Sequence, residues 1–269
     1  MASLVEDLKV ALDVADAAAG SAVKTRSDHS YRVDTKADQS PVTTADLNAE
    51  TEARRIIEHD RPTDRFIGEE SSTSSEDTYG RVWLLDPIDA TRNFVRGIPI
   101  WATLVALVEN GRPVVGVVNA PELGRCWWAA QRHGSFVGQT PSGEGLEISA
   151  RTTASVEKAY VSTTSFDTWR QHGLDDAFQQ LTERSYCNRG FGDFYQHCLV
   201  AEGVLDAALE PIVAPWDVAA LVPIVSEAGG ICTDLFGEDL PGTSTTGIVS
   251  STQALHPRIL ETFYDCDHN

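Results

Sequence analysis

Arg81-Val82-Trp83-Leu84-Leu85-Asp86-Pro87-Ile88-Asp89-Ala90-Thr91 is the stretch on which the fold turns. Arg81 to Leu85 reads as a short strand, apolar after its first residue. Asp86 sits at its end, and Pro87, which has no N–H to give to a ladder, argues against simple continuation. Asp89 comes one turn later, as the chain enters a helix. The Ile88 carbonyl lies between the two carboxylates and is free to ligate. The N–H groups of Ala90 and Thr91 then face outward at a helix N-terminus, where a phosphate binds well. A strand end that offers hard oxygen ligands beside an anion site suits a cation-assisted reaction on a phosphate.

Working outward, residues 3 to about 24 have the period of an amphipathic helix, with Leu4, Leu8, Leu12 and Ala15 on one face. Asp28 to Ser40 is polar and predicts an irregular, exposed loop. Thr43-Thr44-Ala45-Asp46 opens a second helix running to about Glu58. Arg65 to Gly68 is a short strand ending at Glu69-Glu70, and Ser71 to Asp77 is a serine-rich loop. Downstream, Ile100 to Glu109 and Pro113 to Asn119 read as strands joined by the turn Asn110-Gly111. Cys126 to Ala130 and Ser135 to Val137 continue the meander. The Gly/Pro/Ser stretch from Gln139 to Gly145 marks a lobe boundary, giving residues 1–142 and 143–269 within one compact unit. Beyond it strands and helices alternate, as in an α/β layer. Strands fall at Ala159 to Ser162 and Leu205 to Leu209. Helices fall at Asp175 to Arg184, Asp193 to Glu202 and Val218 to Ala228, the last stopped by Gly229-Gly230.

Composition narrows the class. Lys and Arg total 21 against 40 for Asp and Glu, a formal charge of −19 over 269 residues. A nucleic-acid partner needs a basic face, and no basic run exists. No stretch approaches the ~20 apolar residues of a membrane span, and the acidic N-terminus lacks the features of a signal peptide. Cys126, Cys187, Cys198, Cys232 and Cys266 are scattered without a CxxC pair, which predicts reduced thiols in the cytoplasm. The seven histidines show no ligand spacing and read as surface residues. There is no G-x-S-x-G, H-E-x-x-H or P-loop.

Gly68-Glu69-Glu70 and Trp216-Asp217 complete the acidic set. Taken singly, Asp217 reads equally as the cap of an apolar helix, Asp89 as another cap, and Glu69-Glu70 as a solvated loop end. Together, and in this order, the three segments resemble the metal signatures of the inositol-monophosphatase superfamily. The resemblance runs from Lys36 to Gly230. It implies a layered α/β/α/β/α sandwich of the inositol-monophosphatase and fructose-1,6-bisphosphatase type. It also implies two or three Mg²⁺ ions, with Mn²⁺ as a possible substitute. Glu69, Asp86 and the Ile88 carbonyl would hold the first. Asp86 would bridge to a second, completed by Asp89 and Asp217, and Glu69 with water would hold a weaker third. Glu70 would stand behind these ligands. A metal-bound water, oriented by Glu69 and by Thr91 with Asp46 hydrogen-bonded to it, would be the nucleophile. Ala90 departs from the family's glycine. Alanine suits a helical φ, so the first turn is expected to survive with a functional site.

The leaving group is read from other segments. Arg92 to Leu104, Arg189 to Phe194 and Leu199 to Gly203 look most like the histidinol-phosphate phosphatases of the superfamily, and inositol phosphatases usually carry small apolar residues where Gly192-Asp193 stands. Asp193 and Glu210 then become acceptors for the ammonium and imidazole of L-histidinol phosphate. Asn188 and Arg189 are expected to line the same pocket, with Asp89, Ala90 and Thr91 on the phosphate. Asp193 also suits a helix N-cap, and Arg189 a surface ion pair. The alternatives are an inositol or broad sugar-phosphate phosphatase and a non-catalytic metal-binding regulator. By resemblance the chain forms a homodimer, for which the apolar strand region from Trp101 to Leu107 is a candidate.

Overall fold

The computed structural model describes residues 3–28, 31–36, 41–71, 78–240 and 247–264. Helix α1 (Leu4–Ser27) starts at a capping box: Ser3 Oγ accepts from the Glu6 N–H, and the Glu6 carboxylate accepts from the Ser3 N–H. Strands β1 (Val33–Thr35) and β2 (Pro41–Thr43) pair antiparallel. This ribbon corrects the irregular loop expected over Asp28 to Ser40, of which residues 29–30 and 37–40 lie outside the described residues. The polar composition concealed it, because β1 is exposed along its length and has no apolar face to reveal it. Helix α2 (Thr44–Asp60) begins at a second capping box, between Thr43 and Asp46.

Seven strands follow in spatial order: β3 (Arg65–Gly68), β4 (Arg81–Asp89), β5 (Ala102–Glu109), β6 (Arg112–Ala120), β7 (Arg125–Ala130), β8 (Ser135–Gly138) and β9 (Leu146–Glu147), with the short helix α3 (Thr91–Arg96) after β4. Only β3 and β4 run parallel. Of the serine-rich loop, residues 72–77 lie outside the described residues. In β5 every residue from Ala102 to Val108 is buried. Such a run has no solvent face, so both sides of the sheet must be covered. The turn between β5 and β6 places Asn110 at φ 50° and Gly111 at φ 80°, the two positive values a tight hairpin needs.

Strand β4 does not stop at Asp86. It continues to Asp89 across a bulge, pairing Asp86 with Leu104 and Asp89 with Ala102. Pro87 fits because the ladder is interrupted there, and its carbonyl accepts instead from Thr103 Oγ1 at 2.8 Å.

The second sheet has the order β11-β10-β12-β14-β13. Its elements in chain order are β10 (Tyr160–Thr163), α4 (Phe166–Gln171), α5 (Asp175–Arg184), β11 (Cys187–Arg189), α6 (Asp193–Ala201), β12 (Ala207–Glu210), α7 (Pro215–Val218), α8 (Leu221–Glu227), β13 (Gly230–Thr233), β14 (Ile248–Thr252) and α9 (His256–Tyr264). Strands β10, β11 and β12 are mutually parallel, and β14 runs antiparallel to both its neighbours. The single helix expected from Val218 to Ala228 is two helices, α7 and α8. Pro223 explains the break: it falls in the first turn of α8, where its missing N–H costs no intrahelical hydrogen bond, whereas one continuous helix would place it in the interior.

The layers run α1 and α2, seven-stranded sheet, α6 and α8, five-stranded sheet, then α5 and α9. One core joins the alanine face of α1 and α2 to Trp83, Leu85, Trp101 and Leu107. A second joins the other sheet face, Leu84, Leu104 and Trp127, to Phe194, Leu221 and Ile224. A third packs Trp169, Phe178 and Phe263 beneath the five-stranded sheet. Between the seven-stranded sheet and α8 the approach is close. A Cβ on Gly116 of β6 would lie 2.1 Å from the Ala220 carbonyl oxygen, so only hydrogen fits there.

Candidate active site

The bulge in β4 and the first turns of α6 and α7 bring the acidic segments together. Asp86, Asp89 and Asp217 each present a carboxylate oxygen, all within 4.8 Å of one another. Glu69 lines the same cleft with Ile88, Ala90 and Thr91, and with Asp193, His197 and Glu210. The Asp86 carboxylate also accepts from the Ile88 N–H at 2.9 Å, which shapes the bulge. The Asp89 carboxylate accepts from the Phe194 N–H of α6 at 3.0 Å, and the Asp217 carboxylate accepts from the Ala214 N–H at 2.8 Å. Each of the three keeps one backbone partner and lends its remaining oxygen capacity to the cleft.

Electrostatics show what the cleft would accept. Burial, then Glu69, Asp89 and Asp217, push the Asp86 carboxyl well above the usual carboxylate range. Burial, then Asp193 and Asp217, raise Asp89 likewise. Burial and Glu69 push Asp217 up to about 8. Like charges held this close in low dielectric resist joint ionisation unless a cation enters. An all-oxygen set of carboxylates with a carbonyl beside it fits a hard divalent cation.

Asp46 and Thr91 meet at one side. Thr91 Oγ1 lies 3.0 Å from the Ile88 carbonyl and 3.5 Å from Asp46 Oδ1. The other Asp46 oxygen accepts from both the N–H and the hydroxyl of Thr43, at 2.7 and 2.6 Å. Burial pushes Asp46 up to about 6, against those hydrogen bonds.

Ala90 corrects the sequence expectation. It is not helical: φ is 65° and ψ 47°, the left-handed region, and α3 begins only at Thr91. The bulged chain must reverse its sense before the helix can start, which is what a glycine would do without strain. Asp193 is corrected too. Gly192, at φ 82°, occupies the cap position of α6, and Asp193 follows at φ 47°, with no capping bond from its side chain. The inner cleft, about 150 Å³, adjoins an outer one of about 470 Å³. Asp193 lines both, with Arg92, Thr164 and Phe191 in the outer part. Burial and Glu210 push Asp193 up to about 7, while Arg92 pulls it down. Asn188 and Arg189 do not join them. They stand on β11 outside the residues lining either cleft, and the exposed Arg189 guanidinium folds back onto the Asn188 carbonyl at 2.7 Å.

Several residues were not singled out by sequence reasoning. Lys36 Nζ lies 2.6 Å from Glu69 Oε1 and 2.9 Å from Glu70 Oε1. Burial alone would lower the pKa of this ammonium, but the two glutamates hold it above the usual lysine value. Burial and the Glu69 charge push Glu70 up to about 7, and Lys36 opposes them. Glu50, 4% exposed, accepts from the Glu70 N–H at 2.8 Å. It sits four residues after Asp46, on the face of α2 that carries Ala45, Ala49 and Ala53, so two acids on an apolar helical face were the available signal. His197 is fully buried on α6 and His256 is buried on α9, which corrects the expectation of surface histidines. Phe194, Cys198 and Ala201 on the same face of α6 were the hint for His197.

This layered fold with its acidic cleft places the chain in the inositol monophosphatase family, whose model matches residues 3–268. The chain belongs to that family and carries its metal site at Asp86, Asp89 and Asp217. Among curated relatives, a histidinol-phosphatase of Mycobacterium tuberculosis is 42% identical, covering 95% of this chain and 96% of its own length. One from Streptomyces coelicolor is 40% identical, covering 97% of each. Among solved structures, an inositol monophosphatase from Zymomonas mobilis superposes with a TM-score of 0.82 at 32% identity, over 98% of this chain and all of that one.

Proposed function

We propose that this protein hydrolyses L-histidinol phosphate to L-histidinol and inorganic phosphate, as a step of histidine biosynthesis. The observation that carries the reading is the surplus of carboxylates: beyond the three that converge on the cation site, Asp193 and Glu210 face the same cleft. A neutral polyol gains little from two further negative charges, whereas an ammonium and an imidazole are matched by them. The names of the two curated relatives support the same substrate.

Glu69, Asp86, the Ile88 carbonyl, Asp89 and Asp217 would hold two Mg²⁺ ions, and Glu69 would contribute to a third, with Mn²⁺ as substitute. Bound there, the ions would supply the positive charge that neutralises phosphate oxygens and acidifies a water. Thr91 Oγ1 and Glu69 orient the attacking water, and Asp46, held by Thr43, steadies Thr91. The backbone at Ala90 and Thr91 faces the phosphate. Asp193 and Glu210 accept hydrogen bonds from the leaving group.

We assign the protein to the cytoplasm, in keeping with the unpaired Cys126, Cys187, Cys198 and Cys232. No described helix is long and apolar enough to cross a membrane. A homodimer, as the family resemblance implies, is checked by light scattering. The substrate is tested by phosphate release from L-histidinol phosphate and inositol 1-phosphate side by side, with Mg²⁺ and with chelator. A chelator-sensitive preference for histidinol phosphate is expected. Equal or reversed preference would transfer the site to an inositol or sugar phosphate.

A further inference from the structure

From the cleft wall at Glu210 and His197 a buried polar chain runs inward, and the reaction itself does not use it. His197 and Gln196 are both fully buried on α6. His197 Nε2 lies 3.1 Å from Glu210 Oε1, and its Nδ1 lies 2.8 Å from Ser250 Oγ on β14. Ser250 Oγ in turn sits 3.3 Å from Cys232 Sγ. Gln196 Nε2 donates to the same Glu210 Oε1 at 3.1 Å, and to Thr164 Oγ1 at 3.1 Å. Thr164 Oγ1 also accepts the Asp193 N–H, at 2.8 Å.

The chemistry of the partners sets the proton positions. Glu210 Oε1 accepts from Gln196 Nε2, and the same oxygen accepts from His197 when Nε2 carries the ring proton, which leaves Nδ1 to accept from Ser250. Flipping the Gln196 amide would set its oxygen against the same carboxylate, so Glu210 also fixes which way that amide points. The Gln196 oxygen then has no partner among the described residues, a cost the arrangement tolerates to keep both N–H bonds directed. Glu210 thereby has one oxygen occupied by two donors, and its other oxygen is left to the cleft.

We propose that Gln196 and His197 are specificity-determining positioning residues: a buried clamp in which His197 anchors Glu210 to Ser250 of β14 and Gln196 ties it to Thr164, which in turn holds the Asp193 N–H, so that the two carboxylates meet a nitrogen-bearing leaving group as a preset pair. The inference rests on the substrate reading above. Neither residue touches the reacting atoms. A carboxylate free to rotate would lose directionality toward N–H donors, but the cation site would keep its ligands. The clamp acts on the leaving group and leaves phosphate binding alone.

The test is steady-state kinetics with saturating Mg²⁺ on L-histidinol phosphate and on phenyl phosphate, which has no nitrogen. His197→Phe keeps the buried ring and removes both hydrogen bonds. It is expected to raise KM for histidinol phosphate about tenfold or more, the size of a lost hydrogen bond to a charged group, with kcat changed less. For phenyl phosphate kcat/KM should fall less than about threefold. His197→Gln, whose terminal amide can still reach Glu210, should recover most of the loss. Equal losses on both esters, or no recovery, would overturn the clamp and leave His197 a packing residue. If His197→Phe does not fold, Gln196→Met makes the same comparison at the second donor. The wild-type preference tests the substrate reading separately. If the wild type does not favour histidinol phosphate, that reading falls. The clamp is then judged by the ratio of amine-bearing to amine-free esters, with O-phosphoethanolamine against phenyl phosphate: a ratio unchanged in His197→Phe would overturn it.

Discussion

Gly68→Ala tests how the Glu69–Glu70 ligand segment is held. A Cβ at position 68 would lie 2.3 Å from both Cδ and Oε2 of Glu50. Non-bonded carbon atoms rest near ~3.5–4 Å, so the carboxylate must retreat by more than about 1 Å. Glu50 is 4% exposed, accepts from the Glu70 N–H at 2.8 Å and has Arg54 at 3.6 Å, so it cannot swing into solvent without leaving both. A hydrogen bond to a charged group contributes about 1.5–3 kcal/mol, which sets the expected destabilisation. For a chain of this size that corresponds to a fall in Tm of roughly 3–6 °C. Because Glu70 is adjacent to Glu69, the Mg²⁺ concentration for half-maximal activity should rise as well. Thermal melts and Mg²⁺ titrations of Gly68→Ala, Glu50→Ala and the double variant form a cycle. In the Glu50→Ala background the added methyl should cost little, because its obstacle is gone. A full cost in both backgrounds, or no cost in the wild type, would refute the steric reasoning.

Ala90→Gly should relieve left-handed strain of about 1–2 kcal/mol while adding about 0.4–1 kcal/mol of unfolded-state entropy. A Tm rise of no more than a few degrees is therefore expected, with turnover changed no more than several-fold; Ala90→Val should lower Tm, since β-branching worsens a positive φ. Asp193→Asn and Glu210→Gln should raise KM for histidinol phosphate far more than for an aryl phosphate, and equal effects would remove both from leaving-group recognition. Stability of the metal-free protein should depend on pH. Asp217 is raised from 3.8 to about 8 in the fold, so its contribution is complete below about pH 4 and is lost as pH rises through 8. Denaturant melts with chelator at pH 5 and pH 8 should show that fall. Saturating Mg²⁺ should reverse it, because the cation binds the ionised form.

The strands of the meander were legible because period and turn chemistry agree there: β5 and β6 flank Asn110-Gly111, and their apolar runs have no other use. The cation site was legible because its ligands lie in three short segments whose residue types are chemically restrictive. What escaped depends on contacts between distant segments. The chain turns left-handed at Ala90 because β4 is bulged against β5, which alanine's own preference does not announce. Strand β1 was hidden because its partner β2 supplies hydrogen bonds but no core. Lys36 reads as a solvated lysine until the ribbon carries it to Glu69. Asn188 and Arg189 are close to Asp193 in sequence, but the turn at Gly190 to Gly192 separates their strand from the cleft.

Gly116 gives the cleft an unexpected gauge. Asp86 and Asp89 ride on the seven-stranded sheet, whereas Asp217 rides on the α7–α8 segment, and the two bodies touch where β6 meets the Ala220 carbonyl with only a hydrogen between them. The spacing available to the cations is thus set in part by backbone contact away from the carboxylates. Any side chain at 116 would act as a shim, moving one ligand away from the other two without altering a single ligand atom.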